Sequence, residues 1–371
     1  MKIRFLFLLL LAFTFQHILA QNLDADSLKR RLSVAEEDSN RILLLGDLSE
    51  MYMWIFADTA KKYAQEGLQL SRKLNYKHGE AICSRSLCLI IMQEGDFTSA
   101  LDYGFKSLSL FENAGDLKNA SYCRGYLMIC YREQGDYKQA LLQGYKALES
   151  TTFNQEDSLY ILGNISSVYE KSNQLDSALY YGLKVYQRDS QWIGILITLG
   201  NIYYKLGNPE KSLYYFKKSL HTTSGWGLMD TYLGLSKTFE LAKSFDSSVY
   251  YAQNSLALSE AIGNPRGTFD AAKQLAHYYE ARGISDSTVK YLKLTTQLND
   301  SLFSRQKTRE AQSVAFNDKL HKQELQAQQT QNENRIKVFA LWAFIAIFLL
   351  ITLLQYRNNK HKQYVNRQIQ T

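Results

Sequence analysis

The side chains that can do chemistry on their own are few and scattered. Six histidines are spread over 371 residues, and no two stand at the spacing that metal ligands share. No glycine-rich phosphate loop and no nucleophile elbow occurs. The sequence therefore predicts no catalytic residue, no metal site and no cofactor, and an enzyme is the least favoured class of function.

The four cysteines, Cys83, Cys88, Cys123 and Cys130, form two short clusters. A disulfide within either cluster is disfavoured, because five or seven residues along one helix carry the two Cα atoms beyond easy bridging. Disulfides are permitted in an exported chain, but cysteine is also a small hydrophobe that suits helix packing. We expect buried free thiols.

Positive charge is concentrated at the two ends of the chain. The net charge is +7, of which two charges (Lys2 and Arg4) precede the first apolar run and four lie in residues 357–371, which contain no acid. The residues between them carry a net charge of only +1. This nearly neutral central region lacks the basic stripe or patch typical of nucleic-acid binding proteins.

Residues 1–20 have the anatomy of a cleavable secretory signal. The basic start is followed by an apolar run over residues 5–15 and by Ala20 at the predicted cleavage point. The apolar run is too short to span a bilayer comfortably. We therefore expect export, with an uncleaved signal anchor as the alternative.

A second apolar segment, 338–354, has Thr352 as its only polar member. With two flanking residues it reaches about 28 Å as a helix, enough to cross the hydrocarbon core. We predict a transmembrane helix over 337–356. More Lys and Arg follow the span than precede it, which places the tail, 357–371, in the cytoplasm and the body outside, in the periplasm of a Gram-negative cell.

A short sequence motif recurs in the region between the two apolar segments. Gly95-Asp96-Phe97 leads to Ala100, and Gly135-Asp136-Tyr137 leads to Ala140. Further copies begin at positions 55, 173, 207, 243 and 283, so the period is 34–40 residues, which predicts a solenoid of helix pairs. In each pair, glycine would end helix A in a left-handed conformation, and the small residue five positions later would let helix B approach. Asp136 is expected to be exposed at its turn.

In this recurring motif the chain resembles the tetratricopeptide repeat family. The family's small and large positions are occupied by Leu199, Gly200, Tyr203, Gly207, Ser212, Phe216 and Ser219 in one repeat, and by Leu127, Tyr131, Gly135, Ala140 and Ala147 in another. The resemblance implies an all-α solenoid of about six to seven repeats over 39–300, after a lead-in over 21–38. The family's leading Trp and closing Pro are absent, and residues 70–79 suggest a longer linker.

Residues 284–371 contain neither glycine nor proline, so nothing in them breaks a helix. The stretch 301–336 is polar and rich in glutamine, and its apolar residues recur too irregularly for a strict heptad. We expect a long stalk helix that could pair as a weak parallel coiled coil and make a homodimer. A disordered linker is the alternative.

The resemblance also implies where a ligand would bind, because the family lines its concave groove with fixed helix A positions. Carried over to this chain, the candidate peptide-binding residues are Arg85, Met92, Tyr122, Arg132, Tyr160, Lys171, Asn201, Tyr204, Lys205, Lys237, Glu240, Lys273 and His277. Rings supply rigid contact area and cations bind carboxylates, so this mixture suits a peptide or protein segment. Solvated helix faces are the alternative.

Together these features favour a membrane-anchored, exported repeat protein that binds a protein or peptide, in signal sensing. The layout resembles the extracytoplasmic sensor half of bacterial tetratricopeptide-repeat histidine kinases and related regulators. One alternative is a sensor fragment of such a kinase or transcriptional regulator without its output domain. Another is a plain periplasmic scaffold. His361 precedes Lys362 and Gln363 rather than the acid of a phosphoacceptor motif, so it is expected to be an ordinary tail residue.

Overall fold

The computed structural model describes residues 25–53, 56–149, 155–221, 225–299, 329, 332–333, 335–345 and 347–357. The chain divides into two units, Met1–Glu310 and Ala311–Thr371. The predicted signal, most of the predicted stalk and the tail beyond Arg357 lie outside the described residues.

The described part of the first unit is all-α. Its helices are α1 (25–34), α2 (Ser39–Tyr52), α3 (Ala57–Lys73), α4 (Lys77–Gln93), α5 (Phe97–Asn113), α6 (Leu117–Gln134), α7 (Tyr137–Leu148), α8 (Gln155–Lys171), α9 (Leu175–Tyr186), α10 (Ile193–Lys205), α11 (Pro209–Ser219), α12 (Gly225–Leu241), α13 (Phe245–Ala261), α14 (Pro265–Ala281) and α15 (285–299). Helix α1 forms part of what the sequence indicated only as a lead-in.

The helices pack in sequential pairs, as in a tetratricopeptide-type solenoid. Between α2 and α14, every two consecutive helices contact each other. Even-numbered helices also contact the next even-numbered helix, whereas no comparable contact joins successive odd-numbered helices in the described residues. The even-numbered helices α2–α14 are therefore closer together than the odd-numbered ones, and we call them the inner layer.

The turns between helices lie at the recurring sequence motif. The residues at 95, 135, 207 and 283 are glycines with φ between 67° and 82°, and Asn173 and Lys243 adopt the same left-handed conformation at their turns. This confirms the predicted end of helix A. The sequence reasoning missed that a left-handed glycine also ends helix B, at Gly115 and Gly263. An Asp or Asn follows each of these two glycines and caps the next helix.

The small residue five positions after the turn is buried as predicted. Ala100, Ala140 and Ala178 are completely buried. Ser212 occupies the same position in its pair, and its hydroxyl donates to the carbonyl oxygen of Gly200 at 2.8 Å. A hydroxyl is tolerated there because it has an acceptor on the facing helix.

Two expectations were wrong. Residues 70–79 are not a long linker, because α3 continues to Lys73 and α4 begins at Lys77. Asp136 is half-buried rather than exposed, and its side chain accepts a hydrogen bond from the Gln139 backbone N–H at 3.0 Å. It is the N-cap of α7, a role that typically contributes about 1 kcal/mol to stability.

The four cysteines are buried free thiols on α4 and α6. Burial raises the pKa of Cys83 to about 12 and that of Cys123 to about 11. Contact with Cys130, followed by burial, raises the pKa of Cys88 well above its ordinary value. The sequence reasoning weighed only pairs within one helix, whereas the fold places Cys88 beside Cys130 of the next repeat.

The described residues of the second unit include helix α16 (Arg335–Arg357). It has 23 residues and is long and apolar enough, by length and composition, to cross a membrane. Its described side chains are exposed, including those of Phe339, Trp342 and Leu349.

Candidate functional site

All thirteen residues predicted to line the groove lie on inner-layer helices. They are Arg85 and Met92 on α4, Tyr122 and Arg132 on α6, Tyr160 and Lys171 on α8, Asn201, Tyr204 and Lys205 on α10, Lys237 and Glu240 on α12, and Lys273 and His277 on α14. None of them is buried. Their contacts differ, and these contacts decide which of them are available to a ligand.

Two arginines bridge neighbouring repeats. The guanidinium of Arg85 donates to the Glu50 carboxylate of α2 and to the Asn119 side chain of α6. Arg132 of α6 donates to the Ser167 hydroxyl of α8 at 3.2 Å, and it also pairs with its neighbour Glu133. Both side chains therefore stabilise the array while presenting cationic groups on the inner layer.

Three aromatic residues follow along successive repeats, namely Tyr126 on α6, Tyr160 on α8 and Trp192 just before α10. Burial, followed by the neighbouring Tyr160 hydroxyl, raises the pKa of Tyr126 above its ordinary range, while Arg85 opposes the shift. The Tyr160 ring centroid lies 6.2 Å from that of Trp192, which precedes α10. A Cβ atom at Gly163 of α8 would approach this indole to 2.0 Å, so only glycine leaves room for it.

Tyr126 and Trp192 were missed by the sequence reasoning. Tyr126 lies one turn after Tyr122 on the same helix, so helical spacing could have found it. Trp192 lies in the connection between α9 and α10, to which the helix A register does not apply. Only the packing against Gly163 brings it to the inner layer.

Several predicted residues form contacts with a neighbouring repeat. The Lys205 ammonium donates to the Glu170 carboxylate and to the Glu170 carbonyl oxygen, both at 2.7 Å, and Glu170 is buried. His277 of α14 lies 3.3 Å from the Glu240 carboxylate of α12. Burial, followed by the charge of Glu240, raises the pKa of Tyr204.

A different situation holds for Lys171, Lys237 and Asp230, the last of which was not predicted. No salt bridge joins any of the three to another residue in the described parts of the chain. Asp230 is exposed to solvent, and partial desolvation of its carboxyl by the surrounding protein raises its pKa to about 6. Burial lowers the pKa of Lys237, the charge of Asp270 opposes this shift, and the charge of Lys171 adds to it.

The charges that act on the pKa of Asp230 come from four inner-layer helices. They are Lys171 of α8, Glu133 of α6, Asp270 of α14 and Lys237 of α12 itself. Helices α6 and α12 belong to pairs separated by two others, yet their charges are close enough to interact.

The remaining predicted residues are Tyr122, Met92, Asn201 and Lys273. The Tyr122 ring lies 5.9 Å from the ammonium of Lys118 on its own helix. Met92 and Asn201 are half-buried, and Lys273 is exposed.

The amino-acid sequence matches no known family profile and no curated protein. The fold is similar to the apo form of the quorum sensor NprR from B. thuringiensis (17% identity, 77% of this chain, 84% of that chain, TM-score 0.58). NprR in complex with its cognate peptide NprX is also similar (13% identity, 77% and 87% coverage, TM-score 0.59). So is the Rap conjugation gene regulator of the plasmid pLS20 in complex with the Phr* peptide (15% identity, 71% and 74% coverage, TM-score 0.56). At such low identity the likeness shows the fold, which is a tetratricopeptide-like helical solenoid.

Proposed function

We propose that this protein is an exported, membrane-anchored receptor whose inner layer binds a peptide or an extended protein segment in signal sensing. The observation that carries the proposal is the row of accessible side chains on the inner layer, among them Lys171, Asp230 and Lys237, which form no salt bridge in the described residues, and the aromatic pair Tyr160 and Trp192. Rigid rings and unpaired charges are what peptide recognition uses. No catalytic residue and no cofactor belong to the proposal.

The similar structures support this proposal at the level of the fold. NprR was solved with its cognate peptide NprX and the Rap regulator with the Phr* peptide. A solenoid of this kind can therefore hold a peptide. The same structures lend no support to a kinase fragment, so we keep that alternative second, and the plain scaffold third.

Membrane anchoring and export rest on the sequence and on α16. Residues 1–20 have the pattern of a secretory signal, and α16 has the length and composition of a span. The excess of Lys and Arg after α16 favours a cytoplasmic tail. The polar segment 301–336 is the proposed stalk, through which two copies could pair.

The proposed topology predicts a defined protease pattern. In intact cells with a permeabilised outer layer, added protease should digest the repeat body and spare a small fragment containing α16 and the tail, because the inner membrane shields them. Immunoblots against tags at Gln21 and after Thr371 measure the two ends. A cytoplasmic marker protein that stays intact is the control, and a protected body would contradict the topology.

The proposed groove predicts that Tyr160→Ala lowers peptide affinity about tenfold, because an aromatic hot spot is typically worth more than 1 kcal/mol. The full chain in lipid nanodiscs is screened against a peptide library, and the affinity of the best peptide is measured by calorimetry. Tyr180→Ala is the matched control, since Tyr180 lies on α9, outside the inner layer, and is 63% exposed. Thermal melts of both variants verify folding. No bound peptide, or equal losses for the two variants, would contradict the proposal.

A further inference from the structure

We propose that the exposed side of α7, α9 and α11, which we call the outer face, binds the surface of an anionic lipid bilayer. This inference rests on the proposed anchoring by α16 and adds a second contact between the chain and the membrane. The outer face belongs to odd-numbered helices, so this contact leaves the inner layer to the peptide.

One large side chain per repeat is exposed at the same register position of these helices. The position lies seven residues after the left-handed turn residues Gly135, Asn173 and Gly207. It is occupied by Leu142 on α7, Tyr180 on α9 and Tyr214 on α11, which are 43%, 63% and 55% exposed. Large side chains of this kind form an exposed row that crosses three successive repeats.

The exposed tyrosines are fixed by the packing beneath them. The Tyr214 ring lies edge to face against Tyr215, with centroids 5.1 Å apart and planes at 82°, and Tyr215 stacks on Tyr203 of α10 at 5.5 Å. The same arrangement holds Tyr180 one repeat earlier. Rings held in one orientation lose little conformational entropy when they bind a partner.

A row of lysines runs beside the first row. Lys146, Lys184 and Lys218 each stand four residues, or one helical turn, after the exposed residue of their own helix, about 6 Å away between Cβ atoms. None of the three forms a salt bridge in the described parts of the chain. Lys218 donates to the Tyr186 hydroxyl at 3.0 Å, which lies 3.1 Å from the Tyr214 hydroxyl, so the two rows are in contact.

The outer face carries an excess of positive charge. Helices α7, α9 and α11 contain six lysines and only two acids, Asp176 and Glu210, which lie in first turns, about two turns before Lys184 and Lys218. A third acid, Glu149, follows α7. The near-neutral charge of the whole central region concealed this local excess, which favours an anionic partner.

Exposed rings beside lysines are the combination that suits a membrane surface. Aromatic rings favour the level of the lipid headgroups, and lysines bind acidic lipids. The odd-numbered helices are farther apart than the inner-layer helices, so they form the wider, outward side of the array, which can meet a flat surface.

An acidic protein would also offer negative charge, but the chain itself keeps a bilayer within reach. Residues 300–334 link α15 to α16, and these 35 residues span at most about 120 Å. A tether raises the effective concentration of its partner, so even weak binding is populated. Each lysine near an anionic surface is worth about a fivefold gain in binding, and three are worth about a hundredfold.

The test uses the full chain in nanodiscs of phosphatidylcholine, with or without anionic phosphatidylglycerol. Gln187→Cys places a fluorescent donor next to α9, and labelling is selective because the four native thiols are buried. Acceptors are attached to lipid headgroups. We expect stronger energy transfer in the anionic discs, and 1 M salt should remove the difference because it shortens the Debye length to about 3 Å.

A triple variant tests the lysine row. Combining Lys146→Gln, Lys184→Gln and Lys218→Gln should lower the ratio of docked to undocked arrays in anionic discs about a hundredfold. The matched control combines Lys62→Gln, Lys290→Gln and Lys293→Gln, which removes the same charge from exposed positions on α3 and α15 and should keep the lipid dependence. Thermal melts of both variants verify folding.

Equal transfer in the two kinds of disc, or equal losses for the two triple variants, overturns the inference. Lysine-dependent binding of soluble polyglutamate without any lipid dependence also overturns it and identifies an acidic protein as the occupant. Both results leave peptide binding by the inner layer intact, and the Tyr160→Ala experiment decides that separately. A chain that fails to insert into discs would overturn the anchoring and this inference together.

Discussion

Replacing Phe216 with alanine is expected to lower the free energy of unfolding by about 3–5 kcal/mol. Phe216 lies on α11 and is completely buried. Its ring packs between two glycines, since a Cβ atom at Gly200 of α10 or at Gly234 of α12 would approach the ring to 2.8 Å or 2.2 Å. Helix backbones lie on both sides of the ring, so they cannot collapse readily into the space that alanine leaves.

The effect should extend beyond one repeat, because Phe216 joins the pair α10–α11 to the pair α12–α13. Solenoid stability depends on the interfaces between neighbouring repeats. Urea unfolding of the full chain in detergent, followed by circular dichroism, measures it. Tyr214→Ala is the matched control on the same helix, because Tyr214 is 55% exposed and should cost less than about 1 kcal/mol. Equal costs would show that the ring does not hold the two pairs together.

Replacing Glu80 with glutamine is expected to cost about 1.5–3 kcal/mol at neutral pH, the range for hydrogen bonds to a charged group. Glu80 of α4 is 5% exposed, and its carboxylate accepts from Lys106 of α5 at 2.7 Å, from Lys77 at 3.2 Å and from Arg72 of α3 at 3.3 Å. Glutamine keeps the shape and removes the charge that these three cations share.

The same site predicts a pH dependence. Burial alone would raise the pKa of Glu80, but the hydrogen bonds from Lys106, Lys77 and Arg72 outweigh it and lower the pKa from 4.5 to about 2. The folded protein therefore binds this proton less readily than the unfolded chain does. The stabilisation is fully present above pH 4.5 and is lost as the pH falls toward about 2.

Urea unfolding at several pH values should therefore show that Glu80→Gln destabilises at pH 7 and that the difference from the wild type shrinks below pH 4.5. Glu94→Gln is the control, because the pair of Glu94 with Lys61 is solvent-accessible and should contribute less than about 1 kcal/mol. A difference that is constant from pH 7 to pH 3 would contradict the assigned charge role.

Local rules explain why so much of the fold could be predicted from sequence. A turn glycine such as Gly135 is needed where φ is positive, and a small residue such as Ala140 is needed where two helices nearly touch. Both requirements act within a few residues, so they recur with the period of the helix pairs. The same locality explains the errors, because the sequence reasoning assigned Asp136 to an exposed turn and overlooked its capping bond.

The sequence by itself determined the helix pairs, their period and the helices on which the candidate groove residues lie. Tertiary structure alone decided which of those residues form salt bridges between repeats. Lys205 pairs with Glu170, whereas Lys237 forms no salt bridge in the described residues, although both stand near the ends of inner-layer helices. Trp192 reached the inner layer because Gly163 leaves room for it. The physical reason is that such contacts join side chains of different repeats, whose relative positions depend on how successive helix pairs pack, so no local pattern in the sequence contains them.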